Sequence, residues 1–113
     1  MNNQIWIYTI YMVMNKLTGQ WYVGSTLLNL KDRFRQHKYD KTKLGENIRE
    51  YGKRNFEYWI LSKCDMNIFE ANELERLYIV NLEYEFGYQL CLNVYQTSNM
   101  YGVTANKLNI RNE

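Results

Sequence analysis

Gln4-Ile5-Trp6-Ile7-Tyr8-Thr9-Ile10-Tyr11-Met12-Val13-Met14 is followed by Asn15-Lys16-Leu17-Thr18-Gly19 and then by Gln20-Trp21-Tyr22-Val23-Gly24-Ser25. The first run is β-branched and aromatic, and apolar at both alternating sets of positions, so it reads as a strand covered on both faces. The middle run is turn material and the third a second strand, which together make an antiparallel hairpin. Strand faces alternate with period two. Tyr11 and Tyr22 therefore share a face if Met14 pairs with Gly19 across Asn15 to Thr18, whereas a five-residue loop puts them on opposite faces.

Outward from the hairpin, Asn29 caps a helix through Leu30–Lys38. A shorter helix near Leu44–Tyr51 is stopped by Gly52. Phe56-Glu57-Tyr58-Trp59-Ile60-Leu61 forms a third strand. Asn67 with Glu70 three positions on has the form of a capping box and opens the longest helix, to about Glu83. This order predicts an α+β domain, a small three-stranded antiparallel sheet flanked by helices, because so few strands are stable only when buried against helices. The domain is expected over residues 1–93, with 94–113 a polar tail or the start of a linker.

Composition narrows the function. The 113 residues make one domain with a core, burying about two thirds of the unfolded surface. At 46% apolar residues the chain is not disordered, and no apolar run is long enough to span a bilayer. The start carries no secretory signal, and two cysteines without metal spacing, Cys64 and Cys91, fit a reducing, intracellular compartment. A single histidine excludes sites built from several imidazoles, which removes most zinc enzymes. Charge is split between the halves. Residues 1–56 carry ten Lys/Arg against four Asp/Glu, a net +6, and residues 57–113 carry four against eight, a net −4. The excess is densest at Lys31, Arg33, Arg35, Lys38, Lys41 and Lys43, a cluster that attracts polyanions when it is more than a solvated face.

Three constellations stand out. Counting about 100° per residue along the longest helix from Leu74, the apolar stripe holds Ala71, Tyr78, Leu82, Ile68 and Ile79, and Glu75 projects from its middle. A buried carboxylate costs several kcal/mol unless a cation meets it, either an arginine or lysine or a metal ion. Arg33 and His37, spaced i and i+4, share one helix face. The guanidinium there suits either Glu75 or a phosphate oxygen, and the imidazole suits proton transfer. The third constellation is the tyrosine pair, Tyr11 and Tyr22.

Read together, these residues resemble the GIY-YIG nuclease superfamily. Ile10-Tyr11 and, after ten residues, Tyr22-Val23-Gly24 resemble its namesake motif, with threonine (Thr9) in place of the first glycine and valine in place of the second isoleucine. Leu30-Lys31-Asp32-Arg33-Phe34-Arg35-Gln36-His37 is similar to its following helix. Glu50-Tyr51-Gly52-Lys53-Arg54-Asn55-Phe56 resembles its mid-domain segment, Glu75-Arg76-Leu77-Tyr78-Ile79 its glutamate helix, and Leu92-Asn93 its late asparagine. The likeness spans about residues 7–93, with every element in order.

The resemblance implies an endonuclease hydrolysing DNA phosphodiester bonds with one divalent ion, Mg²⁺ or Mn²⁺, held by Glu75. Arg33 would clamp a non-bridging oxygen. Tyr11 would be the general base, its phenol pKa lowered by nearby cations, Tyr22 would orient water or phosphate, and His37 would relay the proton. Asn93 would brace the site by hydrogen bonding or close a structural turn. Lys31, Arg35, Lys38, Lys41, Lys43 and Arg54 would contact the DNA backbone beside the cut, which positions a duplex without reading its sequence. Recognition would then fall to a partner, a dimer or a module outside this chain. The alternative is a silent nucleic-acid-binding module of the same fold.

Overall fold

A computed structural model describes residues 4–93. The segment 94–113 lies outside the described residues. Strand β1 (Trp6–Asn15) and strand β2 (Trp21–Thr26) form the hairpin, followed by helix α1 (Leu30–His37) and helix α2 (Lys43–Tyr51). A 3-10 turn at Lys53–Asn55 leads into strand β3 (Phe56–Met66), and helix α3 (Ile68–Phe86) follows. The sheet is antiparallel in the order β2-β1-β3, so β1 is central and β2 is an edge. The α+β architecture expected from the sequence is the one observed. Among the described residues, no helix is long and apolar enough to cross a membrane.

The helix boundaries follow the capping chemistry. The Asn29 side chain accepts from the Asp32 backbone N–H at 2.9 Å. Asn67 accepts from the Glu70 N–H at 2.8 Å while the Glu70 carboxylate accepts from the Asn67 N–H at 2.9 Å, the reciprocal box the spacing predicts. Gly52, at φ +87°, ends α2.

The hairpin register lies two residues from the Met14–Gly19 pairing considered above. Met14 pairs with Trp21, not Gly19, and the four-residue loop is Lys16 to Gly19. The buried Asn15 side chain sets this register. Its amide oxygen accepts from the N–H groups of Leu17 at 2.8 Å and Thr18 at 3.2 Å, and its amide nitrogen donates to Asn47 at 2.8 Å. A shift of two preserves face parity, so Tyr11 and Tyr22 still share a face. Thr9 sits in regular pairing between Thr26 and Lys63, and the strand accommodates its branched side chain in place of glycine.

Apolar residues on the two faces of the sheet feed two cores. Ile10, Met12, Trp21 and Val23 pack with Ala71 and Ile79 of α3. Tyr11 and Val13 pack with Leu30 and Phe34 of α1 and Leu44 and Ile48 of α2. Beyond α3 the chain returns to the free edge of β2. Leu92 N–H donates to the Trp21 carbonyl at 2.7 Å, and Asn93 takes both backbone groups of Val23, accepting from its N–H at 3.1 Å and donating to its carbonyl at 2.7 Å. Asn93 thus stands in for a neighbouring strand. Asn93→Ala strands two buried polar groups at a cost of about 1–3 kcal/mol, so thermal melting should fall by several degrees. An unchanged melting temperature would show the edge pairing to be dispensable.

Candidate active site

The α1 face of the hairpin carries a chain of hydrogen bonds running away from the sheet. Tyr11, fully buried on the central strand, places its hydroxyl 2.6 Å from His37 Nε2. His37 Nδ1 lies 3.0 Å from Asp40 Oδ2. A carboxylate only accepts, so Nδ1 carries the proton and Nε2 accepts from the Tyr11 hydroxyl. Tyr22, two positions along β2 and half-buried, sets its ring 6.2 Å from Tyr11 and edge-on to His37 at 5.3 Å.

Packing holds this chain in place. Arg49 of α2 donates from one nitrogen to the carbonyls of Lys38 at 2.6 Å and Asp40 at 2.9 Å, tying down the connection that carries Asp40. Gly45 brings α2 directly against the carbonyls of Asp40 and His37, where a Cβ has no room. Gly24, opposite Tyr11 on β2, plays the same part for the phenol. A Cβ there would lie 2.5 Å from the Tyr11 hydroxyl oxygen and 2.8 Å from the Tyr22 ring.

Arg33 lies one turn before His37, half-buried, with its guanidinium 3.4 Å from the same Asp40 oxygen. Asp40 therefore orients the imidazole and the guanidinium together. It was not singled out from the sequence, where it counts as one acid in a basic run; its position three residues after His37 was the available signal.

Glu75 approaches from the opposite face. It is buried together with Ala71 and Ile79 on the α3 stripe, as the helical count predicts, and one carboxylate oxygen accepts from the Ser25 hydroxyl at 3.1 Å. Ser25 neighbours Gly24, the residue opposite Tyr11, so Glu75 reaches β2 one position from the tyrosine's partner, and its charge adds to the rise of the phenol pKa.

The electrostatics correct one expectation. The Tyr11 phenol pKa is raised, not lowered: burial dominates, Tyr22 and Glu75 add to it, and the Arg33 guanidinium opposes without prevailing. His37 is pushed down to about 4 by burial and by Arg33, against the pull of Asp40. At neutral pH the phenol is protonated and the imidazole neutral, so the hydrogen bond between them runs from the Tyr11 oxygen to His37 Nε2.

A pH dependence of stability follows. The folded pKa of His37, about 4, lies below its unfolded value of 6.5, so its contribution is complete above the unfolded value and is lost as pH falls through the folded one. The loss is on the order of 3 kcal/mol, and melting should drop steeply on acidification between those two values. His37→Gln should flatten that slope, and an equal slope in both proteins would remove His37 as its source.

Among the described residues, no three carboxylates, imidazoles or thiolates gather into a ready metal cage. A single buried carboxylate already engaged by a serine suits a hard, hydrated divalent ion completed by water and phosphate oxygens, not a zinc ion enclosed by protein.

The six basic residues expected to contact the DNA backbone, Lys31, Arg35, Lys38, Lys41, Lys43 and Arg54, are all exposed and fall into two groups. Lys31, Arg35 and Arg54 line one cavity, joined by Lys53, which the sequence reading passed over. Lys38, Lys41 and Lys43 lie at the far end of α1, in the connection and at the start of α2, with the Lys38 ammonium over the Tyr39 ring at 5.6 Å.

A family model described as GIY-YIG catalytic domain matches residues 6–89, well over half of the chain. The chain belongs to the GIY-YIG family. No curated protein and no solved structure matches it. The GIY-YIG match covers the hairpin, α1, the Lys53–Asn55 turn and α3, and so takes in Tyr11, Tyr22, Arg33, His37 and Glu75. Its function is of the nuclease type.

Proposed function

We propose that this GIY-YIG domain is a divalent-metal-dependent endonuclease that hydrolyses DNA phosphodiester bonds. The observation that carries this reading is the Tyr11–His37–Asp40 chain, a phenol 2.6 Å from a neutral imidazole that is itself oriented by a carboxylate at 3.0 Å.

Hydrolysis needs a water stripped of a proton, charge compensation at phosphorus and help for the leaving 3′ oxygen. Tyr11 takes the proton from the attacking water as its own passes to His37 Nε2, and the charge so placed on an imidazole that burial and Arg33 hold neutral is offset by Asp40 and the incoming phosphate. Asp40 stabilises the resulting imidazolium through Nδ1. Arg33 holds a non-bridging phosphate oxygen, its orientation maintained by Asp40. Tyr22, the half-buried member of the pair, orients water or phosphate at the mouth. Glu75 would hold the divalent ion, Mg²⁺ or Mn²⁺, which when bound would supply positive charge at the phosphate and leaving oxygen. Asn93 braces β2 beside these groups through Val23. Lys38, Lys41 and Lys43 contact the DNA backbone, as do Lys31, Arg35 and Arg54; recognition of a particular target falls to a partner or module outside this chain.

The test is conversion of supercoiled plasmid to nicked and linear forms. Cutting should require Mg²⁺ or Mn²⁺, stop on chelation, and vanish in Glu75→Ala purified in parallel. Salt-sensitive DNA binding without cutting, at any concentration of either ion, would replace this reading with a silent binding module.

A further inference from the structure

Lys31 and Arg35 on α1 and Lys53 and Arg54 on the 3-10 turn surround a cavity of about 310 Å³. Among the described residues no acidic one lines it. Arg35 pairs with Asp32 at 3.1 Å, while Lys31, Lys53 and Arg54 have no carboxylate partner among the described residues. The wall between these cations is aromatic. Tyr58 of β3 stacks on Phe34 at 4.7 Å with 29° between the rings, and Phe56 closes the base beside Phe34 at 6.4 Å. Phe34 and Phe56 are buried, but Tyr58 remains 37% exposed and lines the cavity among the positive charges, its ring oriented by the stack on Phe34.

Bare cations suit any polyanion, and a duplex backbone needs no aromatic ring. The combination of a backbone-tracking positive rim with an accessible ring is what a single unstacked nucleotide requires: phosphate on the rim, base on the ring. The volume lies at the lower end of small-molecule sites, about 300–1,000 Å³, which admits one nucleotide and no duplex. The placement also fits. Tyr58 and Tyr22 both pair with Val13, so they stand in one row on the same sheet face, two strand spacings or about 10 Å apart, with α1 between them.

We propose that this cavity binds one unpaired nucleotide of the nucleic acid whose phosphodiester sits at the candidate active site, with its base stacked on Tyr58. This rests on the nucleic-acid reading of that site and adds a substrate class, DNA carrying an unpaired base near the cut. Extruding a base from a duplex costs a few kcal/mol and is easiest where it is already unpaired, so the cavity selects single-stranded, bulged or frayed positions.

The experiment is equilibrium binding of the full chain, without divalent metal, to three 2-aminopurine oligonucleotides of one sequence: single-stranded, fully paired, and duplex with the 2-aminopurine as a one-nucleotide bulge. The two unpaired probes should bind more tightly than the duplex and show quenched fluorescence. Tyr58→Ala should weaken them by about 5- to 100-fold while leaving duplex binding unchanged. Tyr58→Trp retains a ring on Phe34 and should preserve the preference. Lys53→Ala with Arg54→Ala, both exposed, should weaken the unpaired probes and reduce their salt slope by about two. Equal affinity for all three probes, or equal losses on paired and unpaired DNA in Tyr58→Ala, would overturn the proposal. Because the assay needs no cleavage, the two readings fail separately. A chain that shows the preference but cuts no plasmid loses the nuclease assignment and keeps the cavity; one that cuts without the preference does the reverse.

Discussion

Glu75→Gln should lower plasmid cleavage by about a thousandfold or more and leave the fold intact. The substitution keeps the length of the side chain and an oxygen to accept from Ser25, so packing on the Ala71/Ile79 stripe is preserved. What it removes is the negative charge proposed to hold a divalent ion, and metal stabilisation of a phosphoryl transition state is worth several kcal/mol, each 1.4 of which is about tenfold in rate. The amide keeps the volume and shape of the carboxyl, so thermal melting should change little. The check is single-turnover cleavage alongside a melting curve. A fall in melting with cleavage lost in proportion would mark Glu75 as a structural residue.

The second large effect belongs to a residue with no side chain. Gly24→Ala should disable cleavage by about 10²–10⁴-fold, the range of a lost general base. Its Cβ would fall 2.5 Å from the Tyr11 hydroxyl oxygen and 2.7 Å from the ring carbon bearing it, inside the 3.0 Å that real contacts keep. The Tyr22 ring blocks the other direction at 2.8 Å, so the phenol must rotate and its 2.6 Å bond to His37 Nε2 is lost. Overpacking of this kind costs about 1–3 kcal/mol, so melting should also fall, by less than would unfold the domain. Histidine ¹⁵N chemical shifts read the effect directly. The signal of Nε2 should change to that of an acceptor without its phenol, and wild-type shifts together with wild-type turnover would show that the phenol tolerates the methyl.

Much of this site was legible in the chain because the signals are local. The i, i+4 spacing of Arg33 and His37, the capping pairs at Asn29 and Asn67/Glu70, and the 3.6-residue stripe around Glu75 each need only a few neighbouring residues to be read. Non-local facts were hidden. The hairpin register depended on Asn15 being buried against Asn47, 32 positions away. Strand β3 runs on to Met66 through Ser62-Lys63-Cys64-Asp65, where backbone pairing to β1 continues under side chains with no strand pattern. The direction of the Tyr11 pKa went the other way because nearby cations can be guessed from spacing, whereas complete burial of a hydroxyl cannot. Asp40 escaped notice for a similar reason: its importance lies in reaching two partners at once, which a charge count does not show.

The central claim is that the Tyr11 relay on one face of the sheet and the Glu75 carboxylate on the other serve a single chemical step. Single-turnover nicking of supercoiled plasmid by wild type, Tyr11→Phe, Glu75→Gln and the double variant tests it most directly. Tyr11→Phe keeps the ring in the core and removes only the hydroxyl, so its rate should fall by about 10²–10⁴-fold with melting nearly unchanged. The double variant should cut no more slowly than Glu75→Gln alone, as groups acting in one step are strongly non-additive. Wild-type cleavage by Tyr11→Phe would contradict the claim.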